Sequence, residues 1–214
     1  MFRNRLLSRF PKDDLEALTP HMREVALGKD DTVIQSASFV PALYFPSSAV
    51  LSEVVALSDG RMLETGTVGF EGVAGLLADL TDTPQLTRVF AQISGSAIAI
   101  DAKMVKARTL QSQPLLTLLM RGLLLVNVQS QQSAACLAYH ALPRRLARWL
   151  LVTADRTGAS TFPLTQEYMA IMAGTQRTSV NAAAADLKRR GLISYSRGNI
   201  TIVDRAAVEV DVTP

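Results

Sequence analysis

The sequence predicts an α+β fold: an antiparallel, β-rich N-terminal half, one long helix, then two short helices followed by a two-stranded ribbon. Three observations predict it. Short β-branched runs divided by turn residues fill the N-terminal half. A long stretch free of proline follows Pro114. Small, glycine and hydrophobic positions recur at fixed spacing between 165 and 191.

The opening segment LSRFPKDDLEALTPHM reads as a short helical hairpin, with Ser8 and Asp13 as candidate caps and Leu15 and Leu18 at helical spacing. From Val25 onward, β-rich runs at 32–34, 42–45, 50–57, 62–68 and 87–100 are separated by turn signals. The clearest hairpin is LSEVVALSDGRMLETGTV, where Asp59-Gly60 supplies a tight turn because glycine accepts positive φ. Several such strands with no long helix between them point to an antiparallel sandwich or barrel rather than an α/β sheet.

Beyond Asp101, AKMVKARTLQSQ reads as a short helix and PLLTLLMRGLLLVNVQSQQSAACLAYHAL as one long helix. Leu116, Leu119, Leu123, Val126 and Ser130 form one stripe, flanked by Leu124 and Val128. That apolar surface is too wide for a simple surface helix. Packing against a second copy would bury the excess; an ordinary core helix within one chain is the other reading. Pro143 then breaks the chain. PRRLARWLLVTADRTG is a further amphipathic helix, with Leu146, Trp149, Leu150 and Thr153 inward, Arg144, Arg145 and Arg148 in water, and Gly158 closing it.

Composition narrows the function classes. The chain has 214 residues, 48% hydrophobic and 19% charged, an ordinary globular balance with room for one large core or two small ones. Mean hydropathy is +0.19, yet Arg121, Asn127 and the polar cluster at 129–132 interrupt the most apolar runs, so no membrane span is expected. No signal-type apolar region follows MFRNRLLSRF, which makes the cytoplasm the expected compartment. A lone cysteine, Cys136, excludes an intrachain disulfide, and His21 and His140 leave few ligands for a metal, so no cofactor is expected. Residues 1–139 carry 12 Lys/Arg and 13 Asp/Glu, whereas residues 140–214 carry 10 and 6. The basic surplus is C-terminal, where a polyanion would sit.

The informative segment is LTQEYMAIMAGTQRTSVNAAAADLKRRGLISYSRGNITIV. A first helix from Gln166 to Ala173 is entered through Thr165 as cap, and Gly174 ends it in the left-handed conformation. Gln176 or Thr175 opens a second helix that runs to about Arg190 and stops at Gly191. Ala170, four residues before Gly174, lets the helices cross closely; Val180, six residues after it, anchors the second helix, and Ala183 and Leu187 continue the buried stripe. This is the pattern of a helix-turn-helix whose second helix is offered to the major groove. Residues 192–195, Arg197-Gly198-Asn199 and 200–203 supply a two-stranded wing. Arg177, Thr178 and Asn181 share one face near the helix start, where arginine can donate twice to guanine and asparagine can pair both ways with adenine. Lys188, Arg189 and Arg190 at the far end, and Arg197 at the wing tip, are candidates for phosphate contacts.

These residues, with the helix PRRLARWLL before them and ALYFPSSAV, the DGR hairpin and VGFEGVAGL in the N-terminal half, resemble the family of the cyclic-AMP receptor protein and the fumarate–nitrate regulator (Crp/Fnr). The resemblance covers roughly residues 6–203. It implies a cyclic-nucleotide-binding-like β-roll (jelly roll) sensor domain over 1–112, a dimerisation helix over 113–138 and a winged helix-turn-helix over 139–214. It further implies a homodimeric transcription regulator that binds double-stranded DNA and works with RNA polymerase. Carried over by position, Arg177 matches the family's arginine near the start of the recognition helix, and Thr178 and Ser179 the adjoining contact positions, with Gln176 just before them. Where the best-known member has a second arginine on the exposed face, this chain has Ala182, so the familiar operator is not assumed.

Family members that bind cyclic AMP have a Gly-Glu pair and, shortly after, Arg-Ser, which supply donors for a phosphate and an acceptor for the ribose. This chain has Gly69-Phe70-Glu71-Gly72, and places Gln85 and Leu86 where Arg-Ser would fall, with Arg88 offset by three residues. Gly69, Glu71, Gly72 and Arg88 are therefore the candidate effector pocket, for a small molecule other than cyclic AMP; a domain that takes no ligand at all is the other reading. An enzyme is not expected, because no nucleophile–base pair or metal cluster is recognisable. The alternative is a winged-helix interaction or scaffold dimer without specific DNA binding, which would show acidic or apolar residues on the exposed helix face.

Overall fold

The computed structural model describes residues 2–196 and 198–212. The chain divides into two compact units: residues up to 55 with 66–130, and residues 56–65 with 131 onward.

The first unit opens with a 3-10 turn, Leu7–Arg9, and helix α1, Lys12–Leu18. Neither expected cap acts as one. Ser8 Oγ donates back to the Arg5 carbonyl at 3.0 Å, and α1 is entered through Pro11, whose carbonyl accepts from Leu15 N at 2.9 Å. Proline's fixed φ suits a helix entry, and the first turn of α1 receives no side-chain hydrogen bond from its cap position.

Seven strands follow: β1 Met22–Leu27, β2 Thr32–Ile34, β3 Ala42–Pro46, β4 Val50–Ala56, β5 Met62–Val68, β6 Arg88–Ile93 and β7 Gly95–Asp101. They form a three-stranded sheet, β1-β7-β3, and a four-stranded sheet, β2-β6-β4-β5. The inner faces of both bury Leu27, Ile34, Leu51, Val68, Val89, Ala91, Ala97 and Ala99 in one cluster, the antiparallel arrangement expected from the strand runs and the β-roll that the resemblance implies. In the β4–β5 hairpin Gly60 has φ +84°, and Leu57 N donates to the Arg61 carbonyl at 2.8 Å. The run expected at 87–100 is two strands. Its break is Gly95, where a Cβ would lie 2.4 Å from Ala49 N, so backbones meet too closely for any side chain as the chain passes between sheets. The β region begins at Met22, earlier than the texture of the sequence suggests, because β1 opens with the adjacent exposed residues Arg23 and Glu24, which break the pattern.

A short helix, α2 (Leu76–Thr81), lies between β5 and β6. After β7, Asp101 caps α3 (Ala102–Thr109) by accepting from Lys103 N at 2.9 Å and Met104 N at 3.3 Å. The long helix is α4, Gln113–Tyr139. Its Leu115 and Leu119 join Phe45, Ile100 and Val105 in a second buried cluster, with Leu123 packed at the margin. The other side stays open: Met120, Leu124, Leu125 and Val128 are each more than half exposed.

Two buried polar side chains fasten this unit. Asn4 donates from Nδ2 to the carbonyls of Pro46 and Gly72, both at 2.9 Å, and its Oδ1 accepts from Leu7 N at 2.9 Å. Asp14, on α1, accepts from Arg108 Nε on α3 and from Ser112 Oγ at 2.7 Å. Ser112 Oγ in turn accepts from Leu115 N at 3.3 Å, so the network reaches the first turn of α4.

In the second unit Pro143 stands in the first turn of α5, Leu142–Thr157, and Gly158 closes it with φ +68°. Leu146, Leu150 and Thr153 are buried, and Trp149 Nε1 donates to Glu64 Oε1 at 2.7 Å. The arginines expected in water are half-buried instead. Arg144 Nε donates to the Asp211 carbonyl at 2.9 Å and Arg148 Nη1 to Ser133 Oγ at 3.4 Å. Strand β8 (Thr161–Pro163), helices α6 (Gln166–Ala173) and α7 (Arg177–Arg189), strands β9 (Ile193–Ser196) and β10 (Asn199–Ile202), and helix α8 (Arg205–Val212) complete the unit. The strands form a sheet in the order β8-β10-β9, and α5 packs against both α7 and α8.

Replacing Asp14 leaves the Arg108 guanidinium and Ser112 hydroxyl without their buried acceptor. Asp14→Ala is expected to lower stability by about 3 kcal/mol, read as a fall in the urea midpoint at unchanged slope. A midpoint within error of wild type contradicts the network's role.

Candidate nucleic-acid interface

The exposed face of α7 is set by how the chain enters and buries the helix. Thr165, in extended conformation, caps α6 by accepting from Tyr168 N at 3.3 Å, and α6 buries Met169, Met172 and Ala173. Gly174 then adopts φ +57°, and Thr175 N donates to the Ala170 carbonyl at 3.1 Å. This closes α6 and reverses the chain in the manner of a glycine C-cap. Gln176 is the extended residue before α7, and its carbonyl accepts from Val180 N at 3.2 Å. Within α7, Val180, Ala183 and Leu187 are buried. Gly191 follows with φ +73°.

With that stripe inward, Gln176, Arg177, Thr178, Ser179, Ala182 and Lys188 are exposed. Arg177 is the first residue of α7, so its guanidinium stands at the positive end of the helix dipole rather than against a neighbouring turn. Both its Nε and its Nη2 lie 3.2 Å from Gln166 Oε1. No pattern in the sequence marks Gln166, since the contact joins residues eleven apart on different helices. Lys188 lies eleven residues beyond Arg177, about 16 Å along the axis and on nearly the same face.

Asn181 differs from the pattern reading. It is half-buried, and its Oδ1 is shut away from solvent without a hydrogen-bond partner. In this conformation it does not present both amide atoms to a base, because position 181 stands nearer the packed flank of α7 than simple spacing suggests. At the far end, Arg190 pairs with Asp211 and Asp186, and Arg189 with Asp186. The hydrogen bond that Arg190 donates to the Asp211 carboxylate is the main cause holding the Arg190 pKa above its ordinary value. Two of the three terminal cations are thus already matched by carboxylates. The wing is β9 and β10, turning through Gly198 at φ +79°; Arg197 lies outside the described residues.

The candidate effector residues are distributed over the first unit. Glu71 Oε1 accepts from Gly69 N at 3.1 Å, and the Gly72 carbonyl accepts from Asn4, so this turn is tied to itself and to the N-terminal segment. Arg88 Nε donates to Thr32 Oγ1 at 3.1 Å, with the guanidinium 4.9 Å from the Phe90 ring centroid. At the positions where Arg-Ser would fall, Gln85 Nε2 donates to Thr87 Oγ1 at 2.7 Å and Leu86 is 88% exposed. Glu53, on β4 opposite Val89, has a carboxyl pushed up by burial. Among the described residues no group of three or more His, Cys, Asp and Glu could hold a metal ion. No helix among them is long and apolar enough to cross a membrane.

Comparison with known proteins agrees with this architecture. Residues 144–209 match the Crp-like helix-turn-helix domain, which spans α5 to α8. A CRP-like cAMP-activated global transcriptional regulator from Mycobacterium tuberculosis is 27% identical over 201 residues, covering 89% of this chain and 88% of that protein. Among solved structures, FixK2 from Bradyrhizobium japonicum superposes with a TM-score of 0.79 at 16% identity, covering 90% of this chain and 98% of its own. A CRP-family transcriptional regulator from Thermus thermophilus gives 0.74 at 22% identity, over 89% and 96% of the two chains. With the β-roll, the long helix and the winged helix-turn-helix all in place, the chain carries a Crp-like helix-turn-helix domain over residues 144–209 and has the fold of the CRP-type regulators it is similar to.

Proposed function

We propose that the chain is a sequence-specific DNA-binding regulator that acts as a homodimer, with α7 of each protomer entering a major groove. The observation that carries this reading is the exposed N-terminal turn of α7, where Arg177, Thr178 and Ser179 stand free of the buried Val180 stripe. An arginine there can donate two bonds to guanine O6 and N7, while Thr178 and Ser179 offer hydroxyls to base or phosphate. Gln176 at the helix entry and Lys188 further along the face are assigned to the phosphate backbone, and Arg197 on the wing to the same task. Asn181 joins the contact set once its amide turns outward.

The homodimer is supported by the open side of α4, where Met120, Leu124 and Val128 recur every four residues without cover from their own chain. An effector, on this reading, acts on the first unit around Gly69, Glu71, Gly72 and Arg88. Cyclic AMP, which activates the mycobacterial relative, is not the ligand proposed here. A cyclic phosphate needs a guanidinium beside the cassette turn, yet position 85 holds a glutamine, position 86 an exposed leucine, and Arg88 is engaged with Thr32. Output through RNA polymerase completes the proposal.

Two outcomes are expected. Sedimentation at micromolar concentration gives about twice the 23.1 kDa chain mass, and Leu124→Glu shifts the protein toward monomer; a monomeric wild type removes the dimer. Arg177→Ala loses about 1–3 kcal/mol against the preferred duplex and much less against a scrambled one. Lys188→Ala weakens both alike and reduces the salt slope by about one. A folded R177A protein that binds both duplexes as wild type does would take α7 out of the interface and leave a protein-interaction role for the winged helix.

A further inference from the structure

We infer that Gln166 is a positioning residue for Arg177, holding its guanidinium so that the two terminal N–H groups point outward as a fork; the inference rests on the DNA-binding reading of α7. Arginine carries five N–H donors arranged along three edges of a planar group. Here the Nε and Nη2 donors of one side edge converge on a single acceptor, Gln166 Oε1, each at 3.2 Å. That contact uses the side edge only. It leaves the end edge, with parallel N–H groups on Nη1 and Nη2, unengaged by Gln166; with the side edge taken, this is the remaining edge that can donate twice to guanine O6 and N7.

The mounting of the acceptor matters as much as its position. Gln166 is the first residue of α6, directly after the Thr165 cap, and is half-buried, whereas Arg177 is exposed at the start of α7. Helix α6 is fixed by its buried Met169, Met172 and Ala173, so the brace is attached to a packed element across the turn. An exposed arginine without such a brace samples many rotamers, and ordering it on binding opposes association. The amide also differs from the other partners of arginine on α7. Arg189 and Arg190 are held by the carboxylates of Asp186 and Asp211, which cancel their charge. Gln166 orients Arg177 without neutralising it, so the full positive charge remains available to the groove.

The test combines Gln166→Ala, Gln166→Glu, Arg177→Ala and the Q166A/R177A double variant. Each is titrated against the preferred duplex and against duplexes in which the contacted guanine pair is replaced. The quantity read is the ratio of affinities for the two. Q166A is expected to reduce that ratio about three- to tenfold, the scale of ordering one long side chain, with binding to an unrelated duplex and the salt slope unchanged. In the R177A background Q166A should change the ratio no further, and Q166E, which keeps the acceptor but adds a negative charge, should retain the ratio while weakening binding to both duplexes alike. An independent reading comes from the free protein: the Arg177 Nε–H resonance, assigned by its loss in R177A, should exchange slowly in wild type and Q166E and rapidly in Q166A. Equal loss on specific and unrelated duplexes in Q166A, full additivity in the double variant, or an unchanged Nε–H exchange rate in Q166A would overturn the positioning role. If R177A itself leaves the ratio unchanged, the guanine reading of Arg177 fails and the inference falls with it. If R177A lowers the ratio and Q166A does not, only the brace is removed.

Discussion

Burial of one stripe on α7 fixes almost everything the helix can do. Val180, Ala183 and Leu187 sit three and four residues apart, so their packing sets the rotation of α7 about its own axis. Full burial of Val180 and Leu187 is worth about 1.5–3 kcal/mol each, far more than any exposed polar contact can oppose. Once that rotation is set, Thr178 is held opposite the core and Arg177 and Ser179 flank it. The left-handed turn at Gly174 sets the second coordinate, the point where α7 begins relative to α6. Together they bring Gln166 and Arg177, eleven residues apart in sequence, within hydrogen-bond distance. The exposed surface of α7 is a consequence of packing, not an independent feature.

The first unit relies on a different device. Its β-roll has an interior of small and branched residues, but the N-terminal segment and the helices that follow are pinned to it by buried polar groups. Asn4 satisfies both amide hydrogens on backbone carbonyls, one of them in the 69–72 turn, and Asp14 gathers Arg108 and Ser112. Buried groups satisfied this completely favour one arrangement strongly, because displacement leaves several of them unpaired at once. The 69–72 turn, which carries the candidate effector residues Gly69, Glu71 and Gly72, is therefore anchored by the chain's own N-terminal segment.

The parts legible in the sequence were those with a period or a forced backbone conformation. Thr165, Gly174 and Gly191 declare their caps, Pro143 its break, Asp59-Gly60 its turn, and Val180, Ala183 and Leu187 their stripe. The Crp-like helix-turn-helix was readable for that reason. Contacts between distant side chains carried no such signal. Nothing local distinguishes Asp14 from the neighbouring Asp13, yet one is buried and the other exposed; nothing marks Gln166 as the partner of Arg177. Charge alone places the arginines of α5 in water, yet Arg144 and Arg148 are half-buried on partners that no local pattern shows. Asn181 shows the same limit from the other side: helical spacing places it on the exposed face, and packing at the flank hides its oxygen.

The most direct test of the account is selection of bound duplexes from a random pool by the purified full chain, followed by sequencing. The account predicts enrichment of a two-fold-symmetric site, with half-sites about one helical turn apart and a guanine at a fixed position in each. A pool that returns no common sequence, bound with affinity that depends on salt alone, would contradict it.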